Sequence, residues 1–371
     1  MKLKWKVSLT IIAACVAGLL YVLWDGRDGV SYRTPIDGSA TAATGVSGKN
    51  VEEPKQTLPS AKTIPGLSHV WQTFNNCSSV ALVVALSRWD VYDTQEAIAD
   101  ATRPWRNQRG DNDDKAVDLF ELAAYAEAEH GFTTFVRPNG RLELLKEFIA
   151  NDIPVVTRTL MYADKDFQHY RVVRGYDDTK KIIIESNGID GSNHTSTYDE
   201  WMHYWKDFNY SYLIVVPENK KALVERILGE EASENVAWAN ARARASAEVA
   251  KDPNDMRAAY NTVTALYYSG DYEGTVREFE KIESRLSEHK LWYQMEPIDA
   301  YFKLGTYDRV IALADSVINN NNKSVSELYV LKGKVYESRG QIAEARAEYE
   351  KAIYYNKSLQ SAKDALARLG G

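Results

Sequence analysis

The sequence predicts an α+β domain, helices first and an antiparallel sheet after them, followed by an all-α repeat region and preceded by an apolar N-terminal segment. Three observations carry this. Between His69 and Pro217, segments with helical spacing of apolar residues give way to segments of period two. From about Lys220 onward every segment has helical spacing, and Gly270, Gly305 and Gly340 recur at intervals of 35 and again 35. Finally, Lys2, Lys4 and Lys6 precede an uncharged, mostly apolar stretch of 18 residues from Val7 to Trp24.

That stretch is long enough to cross a bilayer as a helix, and the positive-inside bias puts the lysines in the cytoplasm and the rest of the chain outside. Two alternatives share the same flanks: a cleaved signal peptide, and a lipoprotein box at "IAAC", Ile12 to Cys15. All three export the protein. Residues 25 to 65 are rich in Gly, Ser, Thr, Ala, Pro and charge, which is the composition of a flexible tether.

Within residues 66–219, "SVALVVALSRW", "DTQEAIADA" and "KAVDLFELAAYAEAEHG" are expected helices, the last stopping at Gly131. "TTFVRP" is an expected strand and "RLELLKEFIAND" a further helix. The strands "IPVVTRT", "YRVVRGYD", "KKIIIES" and "YSYLIVVP" complete the domain, with "DDTKK" as a hairpin turn between two of them. Residues 220–371 form the helical domain. Four residues before its three glycines stand Leu266, Tyr301 and Tyr336; two after come Tyr272, Tyr307 and Ile342; five after come Thr275, Val310 and Ala345. Large residues on one helix and slender ones on the next allow close pairing across a glycine turn. This resembles tetratricopeptide repeats stretched by one residue, over residues 253 to 370, with "SENVAWANARARASAEVAKDP" as a capping helix.

Composition excludes several function classes. With 45 basic against 52 acidic residues the net charge is -7, and no basic block lies beyond the first six residues, so a nucleic-acid partner is not expected. No H-E-x-x-H, C-x-x-C or G-x-x-x-x-G-K-[ST] occurs, and "RGDNDDK" lacks the continuation of a calcium loop. Neither a metal nor another cofactor is expected.

Chemistry concentrates at "WQTFNNCSSVALVVAL", residues 71 to 86. Of two cysteines, Cys15 lies in the apolar segment, which leaves Cys77 as the one thiol of the exported portion. An exported lone thiol is exposed to oxidation, although free cysteine is also a common core residue. Cys77 stands at an expected helix N-terminus, where the dipole and open N–H groups favour thiolate. Attack then needs an imidazole partner and a group to orient it. Among six histidines, His169 directly precedes an alternating strand and is the best placed; His194 lies in an expected polar loop, His203 on an aromatic helix, and His69, His130 and His289 have no comparable context.

Gln72 and Cys77 before a helix, with "HYRVVRGYD" downstream, resemble the papain-type cysteine peptidases related to bacteriocin-processing, double-glycine leader peptidases, in particular exported stand-alone forms that carry tetratricopeptide repeats. The resemblance spans residues 66 to 217. It implies an α+β papain-like cysteine peptidase domain followed by an all-α tetratricopeptide-repeat solenoid, with an N-terminal transmembrane helix. It also implies Cys77 as nucleophile, His169 as base and acid, Asn187 in "ESNGIDGSN" as the orienting residue with Glu185 in reserve, and Gln72 with the Cys77 N–H as oxyanion donors. The expected substrate is a peptide or protein, with a further protein partner on the repeats. Two departures stand out: the family continues C-G-P-A where this chain has Ser78, Ser79 and Val80, and Asn187 replaces the more common Asp. A catalytically inactive peptide-binding scaffold is therefore the alternative, and amide transfer would use the same triad.

Overall fold

A computed structural model describes residues 57–103, 117–163, 165–287, 289–319 and 322–370. The apolar segment Val7 to Trp24 and the expected tether up to residue 56 lie outside the described residues, among which no helix is long and apolar enough to cross a membrane.

The first unit is an antiparallel sheet of seven strands: β1 (Ala61–Thr63), β2 (Thr133–Arg137), β3 (Val155–Tyr162), β4 (Lys165–Asp177), β5 (Ile182–Asn187), β6 (Gly191–Thr197) and β7 (Tyr212–Val216). Their order is β2-β7-β3-β4-β5-β6, and β1 pairs with the far end of β4. β1 lies in the stretch whose composition suggested only tether, and Ile64 after it is fully buried, so the α/β core begins before residue 66.

Helix α1 (Cys77–Ser87) is buried from Ser78 to Ser87. A helix apolar on every side must be surrounded, and α1 runs against β4 and β5 inside the core. α2 (Gln95–Thr102) starts where the Thr94 hydroxyl accepts from the Ala97 N–H. α3 (Leu119–His130) opens with an Asp118/Glu121 capping box and stops at Gly131, whose φ of 66° is the left-handed cap. α4 (Leu142–Ala150) and α5 (Tyr198–Trp205) follow.

Pairing of Thr157 with Arg171 and Tyr212 puts these three side chains on one sheet face, where the Tyr212 ring meets Phe148 of α4 and Trp205 of α5. On the opposite face Tyr170 and Arg158 reach the segment that enters α3, the first donating to the Val117 carbonyl and the second pairing with Asp118.

α6 (Lys221–Leu228) carries Val224, Ile227 and Leu228 into this same core. The first unit therefore extends past the expected boundary at 219, because burial of that apolar stripe, not the end of the last strand, closes the core.

The remaining helices are α7 (Glu234–Lys251), α8 (Met256–Tyr268), α9 (Tyr272–Glu280), α10 (Lys290–Tyr293), α11 (Glu296–Lys303), α12 (Tyr307–Asn319), α13 (Ser326–Ser338), α14 (Ile342–Tyr355) and α15 (Gln360–Arg368), around a second core. Gly270, Gly305 and Gly340 have φ of 79°, 72° and 73°. Each ends the first helix of a pair, and the next helix starts two residues later at Tyr272, Tyr307 and Ile342. Thr275, Val310 and Ala345, the slender residues of the period, are all fully buried.

Polar contacts join the two units. Lys290 Nζ meets the Asp207 carboxylate at 2.8 Å, with both side chains under a tenth exposed. The Asn209 N–H donates to Asn261 Oδ1, and Asn209 Nδ2 donates to the Asn261 carbonyl, each at 3.1 Å. The repeat region is docked on the α/β unit.

Candidate active site

Cys77 is the first residue of α1 and is half-buried. Its N-cap, Asn76, makes no side-chain capping bond, and the first turn holds no acidic residue. The start of the helix thus presents uncapped donors and no competing negative charge, conditions that favour a thiolate. Charge on Cys77 opposes ionisation of Tyr170, whose hydroxyl burial already raises well above the usual range. α1 packs on β4, the strand that carries both Tyr170 and His169.

Gln72 is tied to the sheet from the other side. Its N–H donates to the Gly188 carbonyl at 3.0 Å, and its side-chain Oε1 is buried without a partner. An added Cβ on Gly188 would stand 2.7 Å from Gln72 Cβ and 3.0 Å from Gln72 Oε1, so only glycine allows this approach. Asn187 precedes Gly188 at the turn from β5 to β6. Its Oδ1 accepts from the N–H groups of Ile189 and Asp190 at 2.9 and 2.8 Å, and its Nδ2 donates to Asp190 Oδ2 at 3.1 Å and Glu185 Oε1 at 3.4 Å.

His169 does not stand at a strand start as expected. β4 begins four residues earlier, at Lys165, and His169 is a buried strand residue, 1% exposed. Burial, reinforced by the nearby Arg171 guanidinium, lowers its imidazole to about 3, while Asn187 beside it favours the charged form. Neither ring nitrogen completes a hydrogen bond. At neutral pH the ring is therefore an uncharged base, not half of a preformed imidazolium–thiolate pair.

The structure thus joins Gln72 to the Asn187–Gly188 turn, with Cys77 at the start of α1 and His169 buried on β4, and the three triad candidates do not form a closed hydrogen-bonded chain. Behind Asn187 lies a network that the sequence reading missed. Glu185, fully buried, accepts from Arg171 Nε at 3.2 Å and from His194 Nδ1 at 2.8 Å. His194, expected in a loop, pairs across β6 with Glu185, whose hydrogen bond raises its imidazole. "GSNHTST" is polar on both faces and so offered no alternation that would have marked it as a strand. Among the other histidines, His130 pairs with Asp93, His203 contacts Arg257, His69 packs edge-on against Trp71, and the His289 ring meets Trp292. Among the described residues no cluster of His, Cys, Asp and Glu could hold a metal ion.

Residues 61–216, which make up most of the α/β unit, match the Peptidase_C39 like family, and a large helical region follows them. Among solved structures, a C39-like peptidase from Bacillus anthracis is similar at 13% identity over 42% of this chain and 98% of that one, with a TM-score of 0.36. The peptidase domain of Streptococcus ComA, a bifunctional transporter of a quorum-sensing pathway, is similar at 13% identity over 41% and 99%, with a TM-score of 0.32. MamA is similar at 16% identity over 36% and 86%, with a TM-score of 0.30. At scores of this size none of the three carries the argument that follows. The curated proteins contain no significant match.

Proposed function

We propose that this protein is a membrane-tethered, extracytoplasmic cysteine peptidase that hydrolyses peptide bonds through a thioester on Cys77, with its repeat region binding substrate or a partner. The observation that supports it most is the close approach of Gln72 to the Asn187–Gly188 turn, within the residues that match a peptidase family. Cys77 attacks the carbonyl, uncharged His169 takes the thiol proton and returns it to the leaving amine, and water then cleaves the thioester. Asn187 orients the imidazole. The Gln72 amide and the Cys77 N–H stabilise the oxyanion. The lysine-flanked apolar segment Val7 to Trp24 supports the tether.

The deep burial of His169 and the serines at 78 and 79 favour a second reading, an inactive peptide-binding scaffold. Iodoacetamide separates the two. A competent site is alkylated at Cys77 well above the rate of a simple thiol at pH 7, and His169→Ala slows that alkylation about tenfold or more. Slow labelling unaffected by the substitution sinks the enzyme reading.

A further inference from the structure

A cavity of about 410 Å³ lies in the repeat region between α7, α8 and α9. Its floor is apolar: Leu266 and Ile282 are buried in the helical core, and Val249 and Ala259 are half-buried at its edge. Its rim is cationic. Arg242 stands on α7, Arg277 and Lys281 at the end of α9, and Arg285 just beyond, and all four side chains are exposed. Glu278 is the one carboxylate of the lining, and it is already engaged by Lys281 at 2.7 Å and by Arg277 at 3.4 Å. Arg242 has only a distant partner, Asp271 at 3.9 Å.

Cations often gather at helix C-termini because the dipole favours them there, and this accounts for Arg277 and Lys281. It does not account for Arg242, which lies in the middle of α7, nor for the convergence of all four around an apolar floor. The concentration also runs against the chain as a whole, whose net charge is -7. Such a surface offers charge pairs at the rim and apolar burial at the base, and it repels the basic segments that the acidic remainder of the molecule would attract.

We infer that this groove binds an acidic peptide segment with interspersed aliphatic side chains, its carboxylates against Arg242, Arg277, Lys281 and Arg285 and its aliphatic groups on Leu266 and Ile282. The inference rests on the reading above only in taking the occupant to be a substrate or partner segment; binding itself needs no cysteine chemistry.

The test uses the full chain and a short fluorescein-labelled peptide of Glu and Leu residues, followed by fluorescence anisotropy. A counterpart with Lys for every Glu is the control. The Glu/Leu peptide should bind, should weaken as salt is raised from about 0.05 M to about 0.5 M, and should bind at least about tenfold more weakly to the Arg277→Glu/Arg285→Glu variant. Both positions are exposed, so the variant's Tm should be unchanged; Arg242→Gln provides an independent loss. Cys77→Ala should bind like the parent, which keeps this result separate from the fate of the peptidase reading. No binding of the Glu/Leu peptide, equal binding by the charge-reversed variant, or equal binding of the Lys/Leu peptide would each overturn the inference.

Discussion

Gly188→Ala places a methyl group where the structure has no room for one. The new Cβ would lie 2.7 Å from Gln72 Cβ and 3.0 Å from the Gln72 backbone nitrogen. Neither atom is the far end of a flexible side chain, so the Gln72 loop must retreat by about 0.7 Å to reach an ordinary contact of 3.4 Å. The backbone bond from Gln72 to the Gly188 carbonyl would stretch with it. Overpacking of this kind costs about 1–3 kcal/mol of stability. In the proposed mechanism the larger effect falls on Gln72 as oxyanion donor, since removing one such donor costs about 10²–10³ in turnover and a displacement near 1 Å about 10². Acylation by p-nitrophenyl acetate measures the oxyanion-dependent step, and iodoacetamide measures the thiolate without an oxyanion. The expected result is a fall of about 10² in acylation with alkylation held within about threefold. Gln72→Ala should match it, and the double variant should be no worse than either single one. If Gly188→Ala acylates at the parental rate while folded, Gln72 is not an oxyanion donor; if alkylation falls equally, the glycine serves the fold and not the site.

His169 should also shape acid stability. Burial depresses its folded value to about 3, below the ordinary value of 6.5. Above pH 6.5 both folded and unfolded chains hold the ring neutral and no proton is exchanged on unfolding; between 6.5 and 3 the unfolded chain binds a proton that the folded chain refuses, so stability falls with falling pH by about 1.4 kcal/mol per unit. Urea denaturation across that window should show a flatter acid limb in His169→Asn. Lys290→Ala leaves Asp207 as an unpaired buried charge between the two units, at a cost of about 3–5 kcal/mol, visible as a lower Tm and faster proteolysis between residues 217 and 260. Gly340→Ala meets no atom within 4 Å and should cost only its left-handed backbone, about 1–2 kcal/mol, with Gly270→Ala and Gly305→Ala costing the same.

Local patterns carried much of this molecule. The apolar run after Cys77 admitted only a buried helix, "DLFELAAYAEAEHG" held both its capping box and its stop at Gly131, and three glycines at a constant interval marked turns that all adopt the left-handed conformation. These features depend on the nearest few residues, so the chain states them directly. Gln72, Cys77, His169 and Asn187 were legible as residue types in a familiar order, though not as a geometry.

Other properties arise only when distant segments meet. β1 is too short and polar to announce itself and becomes a strand because β4 offers an open edge. β6 is polar on both faces, so no alternation reveals it, and its pairing is what brings His194 onto Glu185. The uncharged state of His169 follows from the layers packed on either side of β4, and the need for glycine at 188 from a loop more than a hundred residues away in sequence. Sequence alone determined which residues could do chemistry and where helices begin and end, since those are matters of composition and short-range hydrogen bonding. Only the tertiary structure decided which of them are dry, which are neighbours and which charges converge on the basic groove, because solvent exclusion and electrostatic proximity belong to the assembled fold.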